Sequence, residues 1–127
     1  MRHEESKIQT ACVTWFRLTP KYRKVYNLLF SIPNGAKLAG NQQQRARQGK
    51  RLKAEGLVPG VADLFLAIPS GDLCGLFIEI KTKKGRQQDS QKAFERSVID
   101  AGYGYVICRS LEDFQTAIRI YLNNGNY

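Results

Sequence analysis

The chain has 127 residues, of which 43% are hydrophobic, and this size and composition predict one folded domain over residues 1–127 rather than a disordered chain. No apolar run reaches the roughly 18 residues needed to cross a bilayer, and no secretory leader precedes the first predicted helix, so we expect a cytoplasmic protein without a membrane partner. Three widely spaced cysteines and one histidine fit neither a disulfide framework nor a zinc site, and we expect the cysteines to be reduced thiols.

The hydrophobic periodicity and turn signals predict eight elements in chain order. They are a helix over 4–18, a strand over 25–32, a basic helix over 41–55, strands over 61–68 and 74–81, a helix over 88–101, a strand over 104–108 and a helix over 111–122. Residues 41–55 have little apolar face, so that helix is the weakest of the set. The order predicts an α/β fold, a mixed β-sheet flanked by helices.

The net charge of +9, from twenty basic and eleven acidic residues, favours a phosphate polyanion such as nucleic acid as partner. An acidic membrane surface or simple solubility would also account for it. Segments 17–24, 37–53 and 81–86 hold fourteen of the twenty basic residues, although any one such run is most often a solvated face. From these segments the candidate nucleic-acid contacts are Lys37, Arg45, Arg47, Lys50, Arg51, Lys53, Lys83, Lys84 and Arg86.

The strands over 61–68 and 74–81 flank a Pro-Ser-Gly-Asp turn and predict an antiparallel hairpin. If the turn is centred on Gly71, Asp63 and Glu79 lie equally far from it and face each other. Directly opposed residues have Cβ atoms about 4.5–5.5 Å apart on one face of the sheet. Lys81 lies two residues beyond Glu79 and therefore shares that face.

This hairpin indicates a metal site. The opposed carboxylates of Asp63 and Glu79 repel each other unless a cation lies between them. Mg²⁺ prefers oxygen ligands and is often held by one or two carboxylates plus a substrate phosphate, and Lys81 beside it would stabilise developing negative charge. The alternative is a surface hairpin with a salt bridge, since Glu-X-Lys is common. The apolar residues around both acids favour the metal site, because charges inside apolar strands are costly unless paired.

Two further polar residues lie on apolar helical stripes. Glu5 shares a stripe with Ile8, Cys12 and Trp15, which places it at the end of the core-facing side. The alternative is an ordinary first-turn carboxylate that the helix dipole stabilises. Glu4 lies on the adjacent stripe and could take its place. Similarly, Gln91 either reaches the sheet end that carries Lys81 or is a solvated first-turn glutamine.

Several strings together resemble one family. They occur in family order over nearly the whole chain: residues 5–9 (ESKIQ), 29–35 (LFSIPNG), 51–56 (RLKAEG), 59–64 (PGVADL) and 77–82 (FIEIKT), and Gln91 ahead of Gly102-Tyr103. The chain resembles the virus-type replication-repair nucleases (VRR-NUC), a branch of the PD-(D/E)XK nucleases with a restriction-endonuclease-like core. It is most similar to the short stand-alone members of phages and bacteria. Ala62 departs from the usual proline, which ligates nothing.

The resemblance implies roles for individual residues. Asp63, Glu79 and the Ile80 carbonyl correspond to the ligands of Mg²⁺ or Mn²⁺, and Lys81 to the catalytic lysine. Glu5 and Gln91 correspond to residues that support the active site, and Asn34 to a loop that approaches substrate. The resemblance further implies a homodimeric endonuclease acting on branched DNA such as Holliday junctions, in replication, recombination or repair.

Two other functions compete with the nuclease. A non-catalytic nucleic-acid-binding module would explain the charge but leaves the opposed Asp63 and Glu79 unexplained, because carboxylates repel phosphate. A subunit of a larger DNA-processing complex would need a partner before it cleaves. A cleavage assay on the chain alone separates all three.

Overall fold

The sheet has four strands in the order β1-β2-β3-β4. The computed structural model describes residues 2–33 and 38–123. The strands are β1 (Leu29–Ser31), β2 (Leu64–Leu66), β3 (Leu76–Ile80) and β4 (Gly104–Cys108). The helices are α1 (Arg2–Leu18), α2 (Gln42–Ala54), α3 (Asp89–Asp100) and α4 (Leu111–Asn123). None of the described helices is both long enough and apolar enough to cross a membrane.

The strand directions confirm the predicted mixed sheet. β1 and β3 run antiparallel to β2, whereas β4 runs parallel to β3. A parallel pair requires a crossover connection, and α3 provides it between β3 and β4. The fold is therefore α/β, with helices packed on a mixed sheet.

The hairpin of β2 and β3 has the predicted register. Leu64 pairs with Ile78 and Leu66 with Leu76, so the pairs are centred on Gly71, which has a φ of 59°. Continuing this register by one residue places Asp63 opposite Glu79. The turn is closed by two backbone hydrogen bonds between Ser70 and Leu73.

Both strands are shorter than predicted, and the reason lies at the site end of the hairpin. The β2–β3 ladder ends at Leu64 and Ile78. Beyond it, the Ile80 N–H donates to the Asp63 carboxylate at 2.7 Å instead of to a backbone carbonyl. A side chain thus replaces the ladder at this point, and the sheet opens where the acids lie.

The strand predicted over residues 25–32 is wrong for its first half. Residues Pro20–Leu28 form a 3₁₀ segment with a kink at Val25, and only Leu29–Ser31 pair with β2. Tyr22 is buried and stacks on Phe16 of α1 at 4.9 Å between ring centroids. Packing of this ring against α1 requires a compact turn after Pro20, which a local strand propensity does not reveal.

The apolar core lies on one face of the sheet. It joins the even-numbered side chains of β2 and β3 to buried residues of α1 and α4, among them Phe16, Phe114 and Ile118. The odd-numbered residues Phe65 and Phe77 lie on the other face, where Phe77 meets Phe94 of α3 edge-to-face. Asp63, Glu79 and Lys81 are odd-numbered too, and this alternation assigns them to the α3 face.

Candidate active site

The acids and the lysine of the hairpin form one buried polar cluster. Glu79 is 3% exposed and Lys81 7% exposed, whereas Asp63 is half-buried. The Lys81 ammonium lies 3.6 Å from Glu79 Oε2. The predicted grouping of the three side chains is therefore present, and it places two carboxylates and one ammonium at the end of the hairpin.

The backbone of Ile80 borders the same cluster. Its N–H donates to Asp63 Oδ2. Because the N–H and C=O of one strand residue point toward the same neighbouring strand, the Ile80 carbonyl lies on the Asp63 side of β3 as well. A carbonyl oxygen is thus available beside the two carboxylates.

Gln91 lies at the start of α3 and fixes the position of Glu79. Its Nε2 donates to Glu79 Oε2 at 2.8 Å, while its Oε1 accepts from the Gln88 N–H at 2.8 Å in a capping box. Of the two interpretations open from the sequence, the one that brings Gln91 to the sheet end is correct. One side chain both caps the helix and holds the carboxylate.

The electrostatics of the pair are unfavourable for two ionised acids. Burial, followed by the Asp63 carboxylate, raises the pKa of Glu79 to about 8, against a lowering effect of Lys81. Burial also raises the pKa of Asp63, opposed chiefly by the hydrogen bond from the Ile80 N–H. A single ammonium does not balance two carboxylates, so the cluster favours either a proton or a further cation.

The donor set fits a hard divalent cation. Glu79 Oε1 is buried and has no hydrogen-bond partner, and buried acceptors are normally satisfied. Two carboxylates and a nearby carbonyl supply oxygen ligands only, which is the chemistry of Mg²⁺ or Mn²⁺. Within residues 2–33 and 38–123, no group of three acidic, histidine or cysteine residues assembles around one point. Such a small ligand set suits an ion that keeps several waters.

Glu5, rather than Glu4, borders the site. Glu5 is half-buried and lines, together with Asp63, a cleft of about 750 Å³ between α1 and β1. Glu4 is exposed. Helical spacing alone left open which of the two glutamates borders the site. The packing of α1 against the sheet places Glu5 there.

The comparisons with known proteins identify the family of the chain and support its fold. The VRR-NUC domain family matches residues 3–112. The chain belongs to the VRR-NUC family. A solved structure described as "VRR_NUC domain protein" superposes with a TM-score of 0.80 over 97% of this chain and 91% of the other, at 22% sequence identity, and supports the fold. A comparison with curated proteins found no match.

The predicted nucleic-acid contacts of this VRR-NUC chain lie on two exposed segments. α2 has no buried residue and carries five of them, and the loop after β3 carries three more. All eight are exposed: Arg45, Arg47, Lys50, Arg51, Lys53, Lys83, Lys84 and Arg86. Asn34 and Lys37 lie outside the described residues.

Sequence reasoning missed Arg109, which organises the loop that follows Lys81. Its guanidinium donates to the carbonyls of Thr82 at 2.8 Å and Gly85 at 2.6 Å, and more weakly to that of Lys83 at 3.4 Å. The loop is thereby held against the end of β4. Nothing in the local sequence signals this role, because the partners are backbone atoms distant along the chain.

Gly60 lies between the helix predicted over 41–55 and the strand predicted over 61–68, and it packs against the start of α3 beside the site. Its φ is 88°, and a Cβ built on it would lie 2.3 Å from the Ser90 carbonyl oxygen and 2.9 Å from the Gln91 nitrogen. The loop before β2 therefore packs backbone to backbone against the start of α3. This close approach sets where Gln91 stands relative to Glu79.

Proposed function

We propose that this chain is a Mg²⁺- or Mn²⁺-dependent DNA endonuclease that acts on branched DNA, such as Holliday junctions, in replication, recombination or repair. Membership of a nuclease family gives the reaction type. The observation that supports metal dependence most strongly is the unpartnered, buried Glu79 Oε1 beside Asp63. Family resemblance also favours a homodimer, which would bring two sites to the two strands of a junction.

In this proposal Asp63, Glu79 and the Ile80 carbonyl would hold the metal. When bound, the ion would supply Lewis acidity toward the scissile phosphate. Hydrolysis forms a bond between phosphorus and the water oxygen and breaks the bond between phosphorus and the leaving ester oxygen, which takes up a proton of the water. Lys81 stabilises the negative charge that develops on the phosphate, since its ammonium already lies beside the carboxylates. Gln91 keeps Glu79 in place, and Glu5 orders the cleft side of the site.

DNA reaches this site through the basic surfaces. The cations of α2 and of the Lys83–Arg86 loop are exposed and carry the phosphate contacts in this proposal. The loop directly follows Lys81, so its cations attract the backbone close to the scissile bond. Contacts of this kind position a duplex without reading its sequence.

The test is cleavage of labelled four-way junctions, flaps and linear duplexes by the chain alone, with Mg²⁺, Mn²⁺ or EDTA. We expect metal-dependent cleavage, and a loss of about a hundredfold or more for Lys81→Ala, as for removal of other groups that stabilise transition-state charge. Asp63→Asn is expected to abolish both cleavage and the stabilisation of the fold by Mn²⁺. Lys92→Ala, an exposed lysine on α3, is the matched control.

Cleavage that persists in EDTA, or a Lys81→Ala protein as active as the wild type, would refute the mechanism. Tight binding without turnover on every substrate would favour the non-catalytic module. Activity that appears only after addition of a cell extract would favour the partner-dependent subunit. A solution mass measurement beside the assay tests the homodimer.

A further inference from the structure

The cleft between α1 and β1 extends well beyond the catalytic cluster. Asp63 and Glu5 line it, and so do α1 residues as far as Arg17. At 1.5 Å per helical residue, Glu5 and Arg17 lie about 18 Å apart along α1. β1 is the edge strand of the sheet and forms the opposite wall through residues 30–33. The cleft is therefore an elongated site that begins at the acids.

The α1 wall offers neutral polar groups. Gln9, Thr10 and Thr14 line the cleft, and no hydrogen bond engages their side chains within the described part of the chain. An amide and two hydroxyls can donate to phosphate or to base edges. The wall thus provides unused donors in a row along the helix.

The charges of the cleft are separated along its length. The carboxylates of Glu5 and Asp63 lie at one end, and Arg17 lies at the other. Arg17 is exposed, and no ion pair engages it among residues 2–33 and 38–123. The 3₁₀ segment, which contacts both α1 and β1, adds three exposed cations beyond it, at Lys21, Arg23 and Lys24. A polyanion that starts at the acids finds its positive partner at this far end.

Phe30 indicates that the polyanion is unpaired. It lines the cleft at the edge strand, is 44% exposed, and meets the ring of its ladder partner Phe65 edge-to-face with 5.9 Å between the ring centroids. Exposed aromatic residues beside cations and neutral donors are typical of sites for single strands, where bases stack.

We infer that this cleft holds one unpaired DNA strand running on from the scissile phosphate, with Arg17 paired to a phosphate farther along the strand, at a distance set by the about 18 Å between Glu5 and Arg17 along α1. The inference rests on the proposed nuclease function and, among the branched DNAs proposed above, favours those with an unpaired segment next to the cleaved bond over fully paired four-way junctions. At the 3.4 Å axial spacing of a stacked strand, 18 Å corresponds to about five nucleotides, and to fewer in an extended strand.

The experiment measures DNA binding by fluorescence anisotropy in EDTA, where the proposed chemistry cannot turn over. Three probes are compared: a duplex with an unpaired tail of about eight nucleotides, one with a tail of about two, and a fully paired duplex. Both tail polarities are tested. The proteins are the wild type, Arg17→Ala, Arg17→Lys, Phe30→Leu and the control Arg96→Ala, an exposed arginine on α3.

We expect Arg17→Ala to bind the long-tailed probe about three- to tenfold more weakly and to lower its salt slope by about one. Shortening the tail is expected to weaken the wild type by a similar factor but to leave Arg17→Ala unchanged, because the lost phosphate is the one that Arg17 contacts. Arg17→Lys should recover most of the binding. Phe30→Leu should reduce the preference for tailed over paired DNA, while Arg96→Ala should match the wild type.

Equal weakening of Arg17→Ala on tailed and fully paired probes, or no weakening at all, would overturn the inference. Should Phe30→Leu fail to fold, Arg17→Ala still decides. The two proposals fail in different ways. If the chain cleaves no DNA but Arg17 still strengthens binding of the long-tailed probe alone, the nuclease proposal is refuted and the strand site is kept. If cleavage is normal but Arg17 has no such tail-dependent effect, only the strand site is refuted.

Discussion

Glu79 shows at the scale of one residue how the site departs from ordinary packing. Its Oε2 has both an ammonium neighbour and an amide donor, whereas its Oε1 is buried without a partner. An unsatisfied buried oxygen costs about 1–3 kcal/mol relative to a solvated one. A bound cation would convert this unfavourable pair into a ligand set.

We therefore predict that Glu79→Gln raises the free energy of unfolding of the metal-free protein at pH 7 by on the order of 1 kcal/mol. Each unit of pKa shift corresponds to about 1.4 kcal/mol, and solvent screening reduces the effect. The pKa of Glu79 is raised to about 8 in the folded chain from 4.5. Between these values the folded protein keeps a proton that the unfolded chain releases, so wild-type stability falls as the pH rises.

The measurement is urea denaturation in EDTA at several pH values. Below pH 4.5 the carboxyl is neutral in both states, and the advantage of the glutamine should disappear. Glu55→Gln, at the exposed end of α2, is the control and should show no comparable gain. A Glu79→Gln protein less stable than the wild type at every pH would contradict this electrostatic account.

At the scale of elements, the contact between the loop before β2 and the start of α3 determines the geometry of the site. β2 carries Asp63 at its entry, and α3 carries Gln91 in its first turn. The two meet at Gly60, whose backbone approaches Ser90 closely. Glu79 on β3 lies between them, so a shift of either element changes its surroundings.

We predict that Gly60→Ala destabilises the fold by about 1–3 kcal/mol, because the residue has a positive φ and its Cβ would meet backbone atoms. Cleavage should fall further than stability explains, since Gln91 moves away from Glu79. Thermal unfolding and single-turnover cleavage below the transition check both effects.

Gly49→Ala is the matched control. Gly49 lies inside α2 with open space around it, the nearest atom being Leu38 Cδ1 at 3.8 Å. This substitution should stabilise α2 by about 0.5–1 kcal/mol and leave cleavage unchanged. If Gly60→Ala behaved like Gly49→Ala, the backbone contact with α3 would not position the site.

At the scale of the whole molecule, charge is distributed unevenly around the sheet. α2 projects five cations with no acid among its residues and buries none of them. A capping box at Asn41 and two hydrogen bonds between Gln48 and the Ala39 backbone hold its N-terminal part. A helix with no apolar face needs such local stabilisation, and its exposed cations remain free for a polyanion.

We predict that replacing Arg47, Lys50, Arg51 and Lys53 together by glutamine weakens DNA binding and lowers the salt slope by up to about 0.9 per lost phosphate contact. The metal-dependent stabilisation should stay unchanged, because none of the four borders the acids. Replacing Lys92 and Arg96 on α3 is the control. An unaltered salt slope would remove α2 from the DNA-binding surface.

The amino-acid sequence by itself determined the hairpin and the grouping of its charged side chains. Strand alternation has a fixed period of two and the turn at Gly71 fixes the register, so local rules were sufficient to bring Asp63, Glu79 and Lys81 to one face. The family strings then identified the nuclease type. The amphipathic helices were predicted for the same reason, since their periodicity depends on neighbouring residues alone.

Only the tertiary structure decided the features that depend on distant packing. The 3₁₀ segment after Pro20 exists because Tyr22 stacks on α1, and that contact outweighs strand propensity. Three contacts join residues that lie far apart along the chain. Glu5, rather than Glu4, lines the cleft with Asp63, Gln91 donates a hydrogen bond to Glu79, and Arg109 donates to the carbonyls of Thr82 and Gly85. Such contacts depend on how helices dock on the sheet, and no local pattern in the sequence encodes that docking.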